Sequence, residues 1–463
     1  MKLKKPTLKV NHEKPFENDK LNRKDNAAVL TDIINSIDEP FVLGVDGGWG
    51  MGKTTFLDMW RYDLENKDYT CLYFNAWEND YASDPLVAFI GEITTALNDA
   101  KVTGENERKA HEKIKKIKKY GKNIAARLIP TAAKLATYGI LDLDKITEQT
   151  VGGAIGLIVE EQIEKYEEDK NTIKFFREAL EEFAICLSVD KETIKPIIFF
   201  IDELDRCRPT YAIELLERLK HLFNVRGIIY VIAMDRVQIG HSIKSQYGSG
   251  FDSDGYLRRF FDIEYKLPEP SRYDYSRYLL TQLNLNDNLQ KRKLSQGTAL
   301  INTFSKLSDR YRLSLRDIGQ CFTHLSIVLR STPPVMPLHE ELLSLLIVLR
   351  KGNRELYDDY VQKRVNGESV LSDITQDNNG QNFIYHTDEG RNVEIYLTIG
   401  FCKIESEFNS IQSDLTSQLN DDNVHGKVKW KIERIWDHMN DFRGEYNLVD
   451  TVSGRIESTT SFI

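Results

Sequence analysis

Residues 41–60, FVLGVDGGWGMGKTTFLDMW, join a short apolar run to a glycine-rich turn and a helix-capable segment. The octet Gly47-Gly48-Trp49-Gly50-Met51-Gly52-Lys53-Thr54 has the spacing of a phosphate-binding loop. Phosphate oxygens need several donors at close range. The backbone N–H groups from Gly47 through Gly52 would supply them, with Gly48 and Gly50 easing the tight path. Lys53 is then placed to reach the β and γ phosphates of a nucleotide, and the Thr54 hydroxyl to hold magnesium. Thr55 is expected to support the loop and helix rather than to bind the metal.

A second cluster lies far downstream. In PIIFFIDELDRCRPT, residues 196–210, the apolar run ends at Asp202 and Glu203, so two carboxylates stand at the exit of a strand that reads as central in a parallel sheet. Asp202 would hold magnesium, usually through water, and Glu203 would orient and polarise an attacking water. These roles point to an ATPase; the competing reading is a helix cap after an ordinary strand. The N-K-x-D motif that reads guanine is absent.

Further elements must position these groups. YTCLYFNAWEND, residues 69–80, reads as a strand followed by a polar and aromatic loop; Asn75, Trp77 and Glu78 could face the nucleotide, with packing the favoured role for Trp77. YAIELLERLKHLFN has helical spacing, and GIIYVIAMDR is a further apolar strand ending at Asp235, either a polar sensor of phosphate or water, or an ordinary strand-exit aspartate. In GYLRRFFDIEYKLPEP, Arg258 and Arg259 sit on a short helix before a strand. Adjacent helical residues cannot face one way, so one arginine is expected at a phosphate, its own or a neighbouring subunit's, and the other at a carboxylate of the fold. DRYRLSLRDIGQCFTHLSIVLR predicts a helix capped near Ser314, with Leu315, Ile318, Phe322 and Leu325 on its apolar face and Arg316 at the start of a lid over the nucleotide.

With 463 residues and 53.5 kDa, the chain has room for about three domains at ~150 residues each. Hydrophobic residues at 41% and charged residues at 29% suit folded domains and exclude a disordered chain. A formal charge of -9 argues against a polybasic binder while leaving room for a local basic groove. Five scattered cysteines form no C-x-x-C, so neither a zinc site nor a disulfide scaffold is indicated. The opening MKLKKPTLKVNHEKPFENDK lacks the apolar stretch of a signal peptide and is expected to stay in the mature chain. The apolar segments at 135–141 and 151–159 are too short to cross ~30 Å of hydrocarbon, so no conventional membrane span is expected.

The separation of Lys53 from Asp202 implies an insertion. Its basic stretch KAHEKIKKIKKYGK, residues 109–122, could be a solvated helix, touch acidic lipid or meet a nucleic-acid backbone, in that order; an acidic helix-like stretch follows at 160–183. The expected division is 20–100, the first part of the core with its phosphate loop; 101–190, a helical insertion; 191–270, the second part of the core with the acidic strand; 271–363, a helical lid; and 364–463, a tail or small partner-binding domain.

The phosphate loop, Asn75-Ala76-Trp77-Glu78, the run Ile201 to Pro209, Tyr256-Leu257-Arg258-Arg259, Ala233 to Arg236, Leu267-Pro268 and Leu313 to Ile318 together resemble the KAP family of P-loop NTPases over roughly residues 20–350. The resemblance implies an α/β P-loop NTPase of the additional-strand-glutamate class, with a long, mostly helical insertion and a C-terminal helical lid. It also implies ATP and Mg2+ as ligands and a role for Asp205 and Arg206 in organising the segment after the acidic strand. Many relatives carry membrane helices between the two nucleotide motifs, whereas this insertion lacks a convincing span. A cytoplasmic protein, or one peripheral to the inner membrane surface, is therefore expected. Some bacterial relatives are associated with exclusion of phage or plasmids, which makes a conformational switch in antiphage defence an expectation. A nucleotide-stabilised scaffold and an ATP-dependent nucleic-acid binder are the alternatives. Self-association and a protein partner for the insertion or tail are the expected contacts.

Overall fold

The chain divides into two compact units that meet in sequence between Pro268 and Glu269. The computed structural model describes residues 9–82, 84–99, 107–128, 170–186, 195–220, 224–269, 271–292, 297–421, 423–444 and 446–459. The apolar segments at 135–141 and 151–159, and the first part of the acidic stretch, fall outside these residues. No helix among the described residues is long and apolar enough to cross a membrane.

In the first unit the apolar runs pair as one parallel sheet: β1 (Phe41–Asp46), β2 (Cys71–Asn75), β3 (Ile197–Asp202), β4 (Ile228–Met234) and β5 (Ile263–Lys266), in the order β2-β3-β4-β1-β5. Thus β4 stands between β1, which delivers the phosphate loop, and β3, which delivers Asp202. Strands buried on both faces must be apolar at every position, and β3 and β4 are buried along their whole length. Alternate residues serve opposite layers. Leu43, Val45, Ile198, Phe200, Ile229 and Val231 pack with α1 (Arg23–Asn35) and α2 (Lys53–Glu65), where Trp60 stacks on Phe56, meets Phe200 edge-on and donates its indole N–H to Thr31 at 2.9 Å. Phe74, Phe199, Ile201, Tyr230 and Ile232 face the other way, toward α3 (Pro85–Asp99), a helix at 170–186, and α6 (Pro209–Leu219). The insertion's basic stretch forms α4 (Glu107–Leu128), and we number the helix at 170–186 α5. After β4 come α7 (Arg236–Tyr247) and the short α8 (Ser253–Leu257).

The second unit is helical among its described residues. The helix Leu315–Ser331 begins as its sequence predicts: Ser314 accepts from the Asp317 N–H, and the Asp317 carboxylate accepts from the Ser314 N–H, a reciprocal capping box. Thr298–Arg310 packs on Glu340–Gly352, whose leucines are buried all round, and Asp388–Ile399 and Gly426–Met439 carry the helical order into the tail.

Candidate active site

Parallel strands point their carboxyl ends one way. The register sets Asn75 beside Asp202 and Asp46 beside Met234, so the exits of β1 to β4 share one edge of the sheet, where ligands of open α/β sheets bind. The phosphate loop turns there, Gly47 donating its N–H to the Met234 carbonyl at 3.1 Å. Gly50 and Gly52 adopt φ of 79° and 84°, a region closed to most side chains, and this is what their glycine identity serves. A Cβ on Gly47 or Gly48 would make only ordinary contacts with Lys53 and Met51.

Lys53 opens α2, and its ammonium, buried, lies 2.6 Å from the Gly47 carbonyl and 3.4 Å from Asp205 Oδ2. That same Asp205 oxygen accepts the Trp49 indole N–H at 2.6 Å, while Asp205 Oδ1 is buried without a partner among the described residues. The segment after β3 is therefore bonded directly to the phosphate loop. Thr54 lies beside Asp202, which accepts from Tyr73 at 3.2 Å and from the Glu203 N–H at 2.7 Å. Asp202 is wholly buried, and burial raises its pKa to about 6 against the lowering effect of those bonds. Among the described residues there is no group of three His, Cys, Asp or Glu side chains able to cage a metal alone. Thr54 and Asp202 side by side fit magnesium, which binds through one or two protein oxygens plus phosphates and water. Thr55 lies in the first turn of α2.

Glu203 has φ 60° and ψ 25°, a left-handed conformation unusual for a residue with a Cβ, at the junction between β3 and the turn Leu204–Arg206. Its carboxylate pairs with Arg206 on one oxygen and accepts weakly from Asn75 Nδ2 at 3.5 Å on the other. Asn75 also takes the N–H groups of Trp77 and Glu78 on its side-chain oxygen, each at 3.1 Å, and so shapes the loop after β2. Trp77 itself is 53% exposed, which overturns its favoured packing role. That loop is tied to the segment after β3 by Arg208, whose Nε lies 2.7 Å from Asp80.

Asp235 caps a helix at the strand exit and also bonds the phosphate loop. One oxygen caps α7 by accepting from the Val237 and Gln238 N–H groups, and the other accepts the Trp49 N–H of the phosphate loop at 3.1 Å. The arginines before β5 are different. They follow α8, where the Arg258 N–H donates to the Asp254 carbonyl at 3.2 Å, and Asp254 is itself bonded to the guanidinium of Arg236, the first residue of α7. Arg258 and Arg259 are both exposed, with no side-chain partner among the described residues. Arg316 belongs to the second unit, exposed in the first turn of its helix.

Sequence reading missed Arg23. Buried at the start of α1, it donates to the Met51 carbonyl at 3.3 Å and to the Pro268 carbonyl at 2.9 Å, holding the phosphate loop to the chain leaving β5. No local pattern marks an arginine whose partners are backbone carbonyls so distant in sequence.

Comparison with known proteins agrees with this geometry. The phage T7 exclusion protein of Escherichia coli (strain K12) is 20% identical over 354 residues, 72% of this chain and 45% of that protein, so the chain spans less than half of that relative. An uncharacterized protein of Methanocaldococcus jannaschii is 29% identical over 181 residues, covering 35% of this chain and 89% of its own length. Residues 23–332 match the KAP family P-loop domain, an interval that runs from the arginine holding the phosphate loop to the end of the capped helix in the second unit, and the chain belongs to that family.

Proposed function

We propose that the protein hydrolyses ATP with magnesium and uses the cycle as a conformational switch. The observation that carries this reading is the convergence of Lys53, Thr54, Asp202 and Glu203 at one sheet edge. Lys53 and the loop N–H groups would hold the β and γ phosphates and offset their charge. Thr54 and Asp202 would hold the metal, which when bound neutralises charge on the phosphate oxygens. Glu203 would orient and polarise the attacking water, its carboxylate set by Asn75 and Arg206. The strand order, with β4 between the loop strand and the acidic strand, supports the additional-strand-glutamate class. The second unit would serve as the lid, with Arg316 its phosphate contact. Arg258 or Arg259, exposed and without a side-chain partner among the described residues, would act on a phosphate, its own or that of another copy of the chain. A role in phage exclusion is suggested by the name of the T7 exclusion relative.

The ion pair between Glu203 and Arg206 favours a second reading, a nucleotide-stabilised scaffold in which the base is restrained and turnover is slow. One comparison separates the two. Lys53→Ala is expected to abolish ATP binding, whereas Glu203→Gln keeps binding while turnover falls about a hundredfold or more. Equal turnover in Glu203→Gln and the parent protein would leave the scaffold standing and hydrolysis through Glu203 rejected.

A further inference from the structure

Nine of the 22 residues of α4 are Lys or Arg and two are Glu, in a chain whose net charge is -9. The helix sorts them. Ala110, Ile114, Ile117, Gly121 and Ile124 are buried, within an arc of about 80° at 100° per residue. This side packs closely on α3, where a Cβ on Gly121 would collide with Ile90, and on α5, whose Phe176 and Phe183 belong to the same core. A second side carries Lys113 and Lys116, which share Glu182 of α5 at 2.5 and 3.5 Å, while Tyr120 meets Phe175. On the free side, an arc about 100° wide holds Lys115, Lys118, Lys119 and Lys122 with His111 and, between His111 and Lys122, no apolar or acidic residue; the exposed Glu112 lies about 20° beyond it, before the first of these lysines. The four lysines have no ion pair or side-chain hydrogen bond among the described residues, and all but the half-buried Lys118 are exposed.

We infer that this lysine stripe is a docking surface for the phosphate backbone of a nucleic acid. A helix that settles on a membrane needs apolar side chains to insert on its free side, and in α4 the isoleucines are already committed to the core. What remains is a narrow line of point charges about 10 Å long from Lys115 to Lys122. A duplex presents about six phosphate charges over that length, and lysines paired with them release counterions, which makes the attraction strong at low salt and independent of sequence. The internal ion pairs to Glu182 hold the helix in place, so the stripe is presented by a fixed element. The inference stands apart from the proposed hydrolysis, because none of these residues belongs to the phosphate-loop edge.

The test uses the full chain and a labelled 20-bp DNA duplex of arbitrary sequence, followed by fluorescence anisotropy from 50 to 200 mM salt. The parent protein should bind with an affinity that falls steeply with salt. The triple variant Lys115→Glu, Lys119→Glu, Lys122→Glu should bind at least tenfold more weakly, with a log–log salt slope shallower by about 2 to 3. The matching triple Lys→Arg variant should bind like the parent, which separates lost charge from a lost fold. Equal DNA binding by the Glu variant and the parent would overturn the inference. So would capture of the parent by vesicles of mixed neutral and anionic phospholipid, dependent on the same lysines, without binding to the duplex.

Discussion

In the unit Lys9–Pro268, the buried Lys53, Asp202, Glu203, Asp205 and Asp235 gather at one end of one sheet, where Asp205 and Asp235 bond the loop between β1 and α2. In Glu269–Ile463 buried charges are dispersed along helices, Glu394 paired with Arg434 and Glu341 with Asn392, each on a neighbouring helix, while Glu340 keeps one oxygen without a partner among the described residues. Buried charge must find a partner or give up its charge, and burial beside Glu341 moves Glu340 toward the second. Both units leave buried oxygens without a partner among the described residues, Asp205 Oδ1 in the first and Glu340 Oε1 in the second, but only in the first does one lie in a group that also holds the Lys53 ammonium and a loop built for anions. Neither buried charge nor an unpartnered oxygen marks a candidate active site; convergence on a phosphate-binding loop does.

That contrast can be broken by substitution. The largest effect is expected from Arg434→Ala, which strands the Glu394 carboxylate in the interior and should destabilise the protein by about 3 kcal/mol or more in denaturant unfolding. Turnover per folded molecule should not change; a parallel loss of turnover would show that the second unit's buried pairs do more than hold helices. Next comes Glu340, whose pKa burial and the adjacent Glu341 raise to about 7. A folded pKa above the unfolded value of 4.5 means stability fully present below that value and lost as pH rises through about 7. Glu340→Gln should therefore stabilise the protein at pH 8 by about 2 kcal/mol and give no gain at pH 4. A constant difference across that range would remove titration as the cause. The smallest effect is expected from Asp205→Asn. It keeps the shape that meets Trp49 while removing the charge facing Lys53, and should slow ATP turnover about tenfold with the unfolding midpoint nearly unchanged. If instead it mainly lowers stability, Asp205 belongs with the dispersed structural charges.

The parts of this site that were legible in the sequence are those written in consecutive residues. The phosphate loop, the acidic strand exit and the cap at Ser314 each carry their chemistry within about ten positions, because a turn, a strand end and a helix start are local decisions. What was not legible depends on topology. Nothing between Tyr256 and Lys266 says that β5 lies beside β1, or that Arg236 reaches from the start of α7 to Glu264 and Asp254. The same holds for Trp49 reaching Asp205 and for Arg23 reaching Met51 and Pro268, contacts made only after the sheet has formed. In α4 the isoleucine spacing showed a helix, but whether its apolar side met lipid or core was decided by α3 and α5.

The left-handed backbone at Glu203 carries a consequence for any effort to make this protein hardier. That conformation costs a residue with a Cβ on the order of 1 kcal/mol and costs glycine almost nothing. A library selected only for resistance to heat would thus be drawn toward Glu203→Gly, gaining durability and discarding the carboxylate on which hydrolysis is proposed to depend. Selection for robustness and selection for turnover pull this one position in opposite directions.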